Sequence, residues 1–271
     1  MKKQIQDADP SRLLRCRDSI YASDLLVCAV AWFDFFTVLK EKPGTFNEIC
    51  DTIKVLPRPA DVLLSLLLSM DLVEACGQAF GLTELSEKYL VSDSPDSLVP
   101  YYSSLKNRPQ CIEFRNVLQT GKPAGWSSRD KGESWIKSMR NQEFADSFTA
   151  AMDSRGAFLA RKLAETLDVS QNRALLDVAG GSGIYACTIA GRNSHLAAAV
   201  LEIPPVDLAA TRSVASKRMS SRVKVVSGNM FEAIPAGYDV HLFANAFHDW
   251  DIDFVSTLAA NSFKSLSPGG F

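Results

Sequence analysis

Apolar positions recur at helical spacing through residues 23–40, where Leu26, Ala29, Val30, Phe33 and Phe36 form one side. The opposite side is apolar as well (Leu25, Cys28, Trp32, Phe35), so the pattern predicts one helix covered on both faces. Pro43-Gly44-Thr45 reads as a turn ending in an N-cap, and a short helix is expected over Phe46–Ile53. Leu56-Pro57-Arg58-Pro59 breaks the chain before a further helix at about 60–70. The runs at 72–75 and 79–82 flank Cys76-Gly77-Gln78 and suit a β-hairpin. Helix, turn, helix and hairpin in this order predict a winged helix within residues 1–105. Residues 106–172 read as a mostly helical linker and pocket segment, with loop residues at 121–125. Within it Phe144, Phe148, Ala151, Met152, Phe158 and Leu159 mark the apolar side of a helix.

The pattern changes at residue 174. Short β-rich runs at 174–179, 196–201, 223–226 and 240–244 alternate with helical stretches from about 184, at 209–216 and at about 251–266. That alternation predicts an α/β domain over residues 173–271 with a parallel sheet, and a ligand site beyond the carboxyl ends of its strands.

Charge matters chiefly for what it excludes. Residues 1–100 carry 10 Lys+Arg against 15 Asp+Glu, and the second helix of the winged-helix pattern contains neither Lys nor Arg. DNA binding takes most of its affinity from neutralised phosphates. A protein–protein contact, specifically a homodimer through the N-terminal domain, is therefore expected rather than a nucleic-acid partner. The six cysteines (Cys16, Cys28, Cys50, Cys76, Cys111, Cys187) show no zinc or disulfide spacing and read as free thiols. The longest apolar runs are nine residues, too short for a membrane span, and the start lacks a signal-peptide core. A cytoplasmic protein with no membrane partner is expected.

The densest chemical signal is Asp177-Val178-Ala179-Gly180-Gly181-Ser182-Gly183 at a strand-to-helix turn. Glycines there let a ligand approach the backbone, and a helix N-terminus offers free N–H donors. Glu202 ends the next strand, where a carboxylate can accept both hydroxyls of a ribose. Gly181-x-Gly183-x-x-Ala186 also fits a dinucleotide fingerprint, so an NAD-dependent oxidoreductase is the competing reading. S-adenosylmethionine is favoured by three features. Asp177 lies within the strand before the glycines, where it can organise the loop. Gly228-Asn229-Met230-Phe231 follows the third strand, offering an amide to an adenine edge and apolar groups to its face. His248-Asp249-Trp250 follows the fourth strand, where a catalytic group belongs. The other histidines, His195 and His241, read as surface or loop residues.

Taken in order, Asp-Val-Ala-Gly-Gly-Ser-Gly, Glu-Ile-Pro, Gly-Asn-Met-Phe, Asn-Ala-Phe-His-Asp-Trp-Asp and Pro-Gly-Gly resemble the class I small-molecule O-methyltransferases of the caffeic-acid and acetylserotonin type. Leu82-Thr83-Glu84-Leu85-Ser86-Glu87-Lys88-Tyr89-Leu90 resembles their winged-helix dimerisation domain, so the likeness spans essentially the whole chain. The resemblance implies a Rossmann-like fold with S-adenosylmethionine as cofactor and no metal. The acceptor would be a small, hydroxylated, usually aromatic molecule. His248 would be the general base, and Asp249, with Phe148, would touch the acceptor. Asp177, Gly180, Gly181, Gly183, Glu202, Asn229, Met230, Asn245 and Met152 would form the cofactor site. Glu202 stands where the family usually has Asp, and Asn229 replaces an Asp of an Asp-Met pair. Members of the type continue past Pro-Gly-Gly, whereas this sequence stops at Phe271. The resemblance then implies a truncated chain with an incomplete sheet, the fourth strand an open edge, and no partner carboxylate for His248. Poor stability and weak turnover are the expectation, or a role as a dimerising or cofactor-binding remnant.

Overall fold

The computed structural model describes residues 8–122 and 137–271. They fall into two compact units, one of residues 11–122 and the other of residues 8–10 and 137–271. The segment set apart by sequence as a linker is shared between them: Pro109–Thr120 packs in the first unit and Gln142–Thr166 in the second.

The first unit is helical around a small sheet. Its helices are α1 (Ser11–Asp18), α2 (Ala22–Ala31), α3 (Phe35–Glu41), α4 (Phe46–Ile53), α5 (Pro57–Ser69), α6 (Glu84–Tyr89), α7 (Val99–Ser103) and α8 (Pro109–Thr120). Strands β1 (Gly44–Thr45), β2 (Val73–Cys76) and β3 (Ala79–Leu82) pair antiparallel in the order β1-β3-β2. The expected hairpin forms, with Cys76 opposite Ala79 across Gly77-Gln78. At the start of α4, the Thr45 side chain and Glu48 form a reciprocal capping box.

Two expectations need correction here. The single helix over 23–40 is two helices, broken at Trp32–Asp34, where Asp34 adopts φ +43°. The Asp34 carboxylate accepts from Thr37 Oγ1 and, 58 residues on, from Ser92 Oγ, each at 2.7 Å. These bonds hold the kink. Pro57 and Pro59, expected to precede the next helix, instead lie in its first turn, where a missing N–H costs nothing. From that helix, Leu63, Leu64 and Leu67 are buried in the unit's own core with Phe35, Phe36 and Cys111.

The second unit is the predicted parallel α/β domain. Helix α9 (Gln142–Thr166) precedes β4 (Ala174–Val178), α10 (Ile184–Arg192), β5 (Ala197–Glu202), α11 (Val206–Ser216), β6 (Val223–Ser227), β7 (Val240–Leu242) and α12 (Ile252–Ser265). The parallel sheet runs β6-β5-β4-β7, so its order reverses direction between β4 and β7. Alternate strand residues face opposite layers. Leu175, Val200 and Val223 pack with residues of α9, α10 and α11, while Leu176, Val178 and Leu201 face Ile234, Tyr238 and Phe243. Asp239 clamps the entry to β4 by accepting from the backbone N–H groups of Arg173 and Ala174 at 2.8 and 2.9 Å. The expected open edge at β7 is partly covered. Phe271 N–H donates to Asp239 O, and its carbonyl accepts from His241 N–H, at 3.1 and 2.9 Å.

Helix α9 does not bury the face its large residues suggested. Phe144 and Leu159 are exposed, and the buried stripe is Ala145, Gly156, Ala160 and Ala164. Small residues let its backbone lie close on α10. A β-carbon at Gly156 would sit 2.8 Å from Ile184 Cγ2 and 3.4 Å from Tyr185 Cε2. Gly156→Val is therefore expected to destabilise the domain by about 2 kcal/mol or more, since overpacking outweighs the gain in helix propensity of about 0.5 kcal/mol. Gly191→Ala, where nothing lies within 4 Å of the added carbon, is expected to be neutral or stabilising. Urea unfolding of both variants checks this, and equal stability would mean the α9–α10 seam has slack.

Candidate cofactor and catalytic site

The site is built at the carboxyl ends of β4, β5, β6 and β7, on the side where the strand order reverses. At the end of β4 the Asp177 side chain is 0% exposed. Its Oδ2 accepts from the Ala186 N–H at 3.3 Å, while Oδ1 has no hydrogen-bond partner. A β-carbon on Gly180 would lie 2.5 Å from the Asp177 carboxyl carbon, so only glycine lets the loop cross over this acid. Gly183 opens α10 at φ +71°, and a side chain there would also meet Val200 and Val214 at 3.0 and 3.1 Å.

Glu202 ends β5, 7% exposed. Its Oε1 accepts from Gly181 N–H at 2.8 Å and its Oε2 from Ile203 N–H at 3.2 Å. It thus ties the glycine loop to the neighbouring strand and keeps lone pairs for further donors. Burial pushes both acids up to about 7, against the pull of these N–H groups, and the Glu202 charge adds to the rise at Asp177.

After β6, the Asn229 side chain is engaged within its own turn. Oδ1 accepts from Phe231 N–H at 3.0 Å and Nδ2 donates to Glu232 at 3.1 Å. This amide, expected to face an adenine edge, shapes the turn that carries Met230. Asn261 fixes the same turn by donating to the carbonyls of Met230 and Phe231. Phe231 also packs edge-on against Trp250, with centroids 4.6 Å apart, and against Phe254. The turns after β6 and β7 are joined by this aromatic cluster.

After β7, Asn245 takes φ +57° and leads into a 3-10 turn, Phe247–Asp249. His248 stands on that turn with its side chain 62% exposed, and its Nε2 is 3.7 Å from Asp249 Oδ1, beyond hydrogen-bond range. His241, expected in a surface or loop position, is half-buried in β7 with Nδ1 2.9 Å from Ser262 Oγ. Burial lowers its pKa, which suits a neutral structural imidazole. His195 lies against the Val169 carbonyl at 3.0 Å. Phe148 packs beside Ile203 and Val206, just past Glu202, and Met152 follows one turn later on α9, half-buried. Among the described residues no His/Cys/Asp/Glu cluster is arranged to hold a metal ion.

Two residues of this region escaped the sequence reading. Burial raises the phenol pKa of Tyr185, 9% exposed on the first turn of α10; the Asp177 charge adds to the rise, while Arg155 on α9 and the Asn245 side chain oppose it. The available signal was Gly156, a glycine inside a helical pattern that marks a close approach.

The O-methyltransferase domain family matches residues 113–271. The chain belongs to the O-methyltransferase family. The chain is 24% identical over 264 residues to 3-hydroxy-5-methyl-1-naphthoate 3-O-methyltransferase of Streptomyces sahachiroi, covering 96% of this chain and 75% of that protein. It is 23% identical over 265 residues to the N,N-dimethyltransferase OxyT of Streptomyces rimosus, covering 97% and 77%. Among solved structures, an O-methyltransferase family 2 protein from Planctomyces limnophilus, crystallised with apigenin, superimposes with a TM-score of 0.84 at 24% identity. That match covers 97% of this chain and 76% of the other, and it shows a shared fold. No single helix among the described residues is long and apolar enough to cross a membrane.

The buried acids of this O-methyltransferase make its stability pH-dependent. Both hold protons in the folded state at pH values where the unfolded chain has released them. Their contribution is complete below about pH 4 and is lost as pH rises through about 7. The protein without ligand should therefore be less stable at pH 8 than at pH 5. Asp177→Asn should flatten that fall, which thermal melts across the range would detect; an unchanged slope would mean Asp177 does not carry it.

Proposed function

We propose that this chain transfers a methyl group from S-adenosylmethionine to a hydroxyl of a small aromatic molecule, with His248 as general base. The observation that carries the reading is the glycine loop crossing a buried Asp177 and tied to Glu202, with His248 standing exposed on the turn after β7. The donor set suits the cofactor. Glu202 keeps acceptor capacity for ribose hydroxyls, and Gly180, Gly181 and Gly183 keep the loop free of side chains. Met230, on the turn shaped by Asn229, offers an apolar face to the adenine. Asn245 and Met152 line the remaining walls.

When bound, the cofactor supplies a methyl group already activated on a sulfonium sulfur. The protein's own tasks are to align the acceptor oxygen, exclude water and remove one proton. A phenol has a pKa of roughly 10, and a neutral imidazole within hydrogen-bond reach is a competent base for it near pH 7. Asp249 and Phe148 are proposed to contact the acceptor. No metal has a role in this scheme. Relatives whose names specify naphthoate or apigenin as partners support an aromatic acceptor.

Calorimetry with S-adenosylhomocysteine, with NAD as control, tests the cofactor assignment. Binding of the first alone is expected, and preference for NAD would overturn it. On an accepted phenol, His248→Ala should lower kcat/KM by about 10²- to 10⁴-fold with S-adenosylhomocysteine affinity unchanged. A wild-type rate would exclude His248 as base.

We also propose that the first unit is a winged-helix homodimerisation domain. Its exposed apolar side chains include Leu13, Ile20 and Tyr21, which are 73%, 64% and 47% exposed. Sedimentation is expected to give a dimer for the parent chain and a monomer for Ile20→Asp; a monomeric parent would refute the proposal.

A further inference from the structure

Helix α12 carries Phe254, Leu258 and Asn261 on one side, at the i, i+4, i+7 spacing of a core stripe. Leu258 is fully buried there, and Phe254 packs on Phe231. An amide in the third place of such a stripe costs free energy unless its groups are bonded, and an apolar residue would serve the packing as well. The Asn261 Nδ2 is bonded twice, to the Met230 carbonyl at 3.2 Å and to the Phe231 carbonyl at 3.0 Å.

Asn229 holds the opposite edges of the same two peptide groups. Both are trans, so the C=O and N–H of each point to opposite sides. The Phe231 N–H, across from the Met230 carbonyl, donates to Asn229 Oδ1 at 3.0 Å. The Glu232 N–H, across from the Phe231 carbonyl, donates to the Asn229 carbonyl at 3.0 Å. Two consecutive peptide planes are thus clamped from both sides, and with them the direction in which the chain leaves Met230. The Met230 side chain rests half-buried against Leu176, Val178 and Leu201 or their packed neighbours in the same layer. The turn that carries it starts beside Glu202, whose carbonyl accepts from the Gly228 N–H at 2.9 Å.

We infer that Asn261 is a positioning residue for cofactor binding: by holding the carbonyl edge of the Met230–Phe231 turn, it fixes the apolar face that Met230 gives the adenine. The inference rests on the proposed reading that S-adenosylmethionine binds here with its base at Met230. The turn that carries His248 meets Phe231 through the Trp250 ring, with centroids 4.6 Å apart, and not through the amide. Asn261 therefore bears on affinity for the nucleoside rather than on removal of the acceptor's proton.

The test is calorimetry on the full chain with S-adenosylhomocysteine and with 5′-methylthioadenosine, which shares the nucleoside but lacks the amino-acid arm. Asn261→Leu keeps the apolar stripe and removes both donors. It should weaken the two ligands by the same factor, about 3- to 15-fold, the scale of one net hydrogen bond. On an accepted phenol, KM for S-adenosylmethionine should rise by that factor while kcat at saturation stays within about twofold. Undiminished affinity overturns the inference. So does a larger loss for S-adenosylhomocysteine than for 5′-methylthioadenosine, or a kcat that falls as far as affinity, because a general loosening of the site would act on the arm and the chemistry as well. Should Asn261→Leu not fold, Asn261→Ser replaces it. Its hydroxyl is too short to span both carbonyls, so a several-fold equal weakening is expected, and wild-type affinity for both ligands overturns the inference. Wild type that binds S-adenosylhomocysteine but not 5′-methylthioadenosine would also overturn it, whereas failure to bind S-adenosylhomocysteine at all would overturn the cofactor assignment.

Discussion

The burial of the Asp177 carboxylate under the glycine loop is the constraint from which the rest of the site follows. A fully buried acid with one unpartnered oxygen is costly as an anion. The structure meets that cost with the Ala186 N–H on the other oxygen and with a raised proton affinity. The acid fills the space a side chain at position 180 would need, so the loop must pass over it as bare backbone. Its course then brings the Gly181 N–H to Glu202 and starts α10 at Gly183, where Val200 and Val214 leave no room for a side chain. One buried carboxylate thereby accounts for the glycine, the helix start and the link between two strands.

A second constraint comes from outside the strand-helix alternation. The long helix α9 buries alanines and a glycine rather than its aromatic residues. Close backbone approach forgoes large apolar area but fixes the distance between α9 and α10 tightly, since interiors tolerate little overlap. Whatever α9 carries beside Gly156 is consequently held at a set position relative to the glycine loop. The Phe231–Trp250–Phe254 cluster ties the turn after β6 to the turn after β7.

Much of this was legible in the residues. The parallel alternation from 174, the hairpin across Gly77-Gln78, the helix at Phe46–Ile53 and the strand-end positions of Asp177 and Glu202 rest on local signals: period, turn chemistry and capping. The misreadings share a cause. The kink at Asp34 depends on Ser92, far along the chain, and periodicity carries no trace of it. The face of α9 was assigned by size, whereas close packing chose small residues. Pro57 and Pro59 were read as breakers because composition does not distinguish the residue before a helix from its first turn.

The same hydrogen bonds bear on why this loop suits a sulfonium cofactor better than a dinucleotide. A diphosphate at a glycine loop needs backbone N–H donors and a field that welcomes negative charge. Here the Gly181 N–H is held by Glu202 and the Ala186 N–H by Asp177, so two donors at the start of α10 are occupied by the protein's own acids. Those acids also oppose any anion brought against the loop. A ligand whose nearby groups are a sulfonium, an ammonium and ribose hydroxyls meets the reverse situation, with cations and donors facing carboxylates.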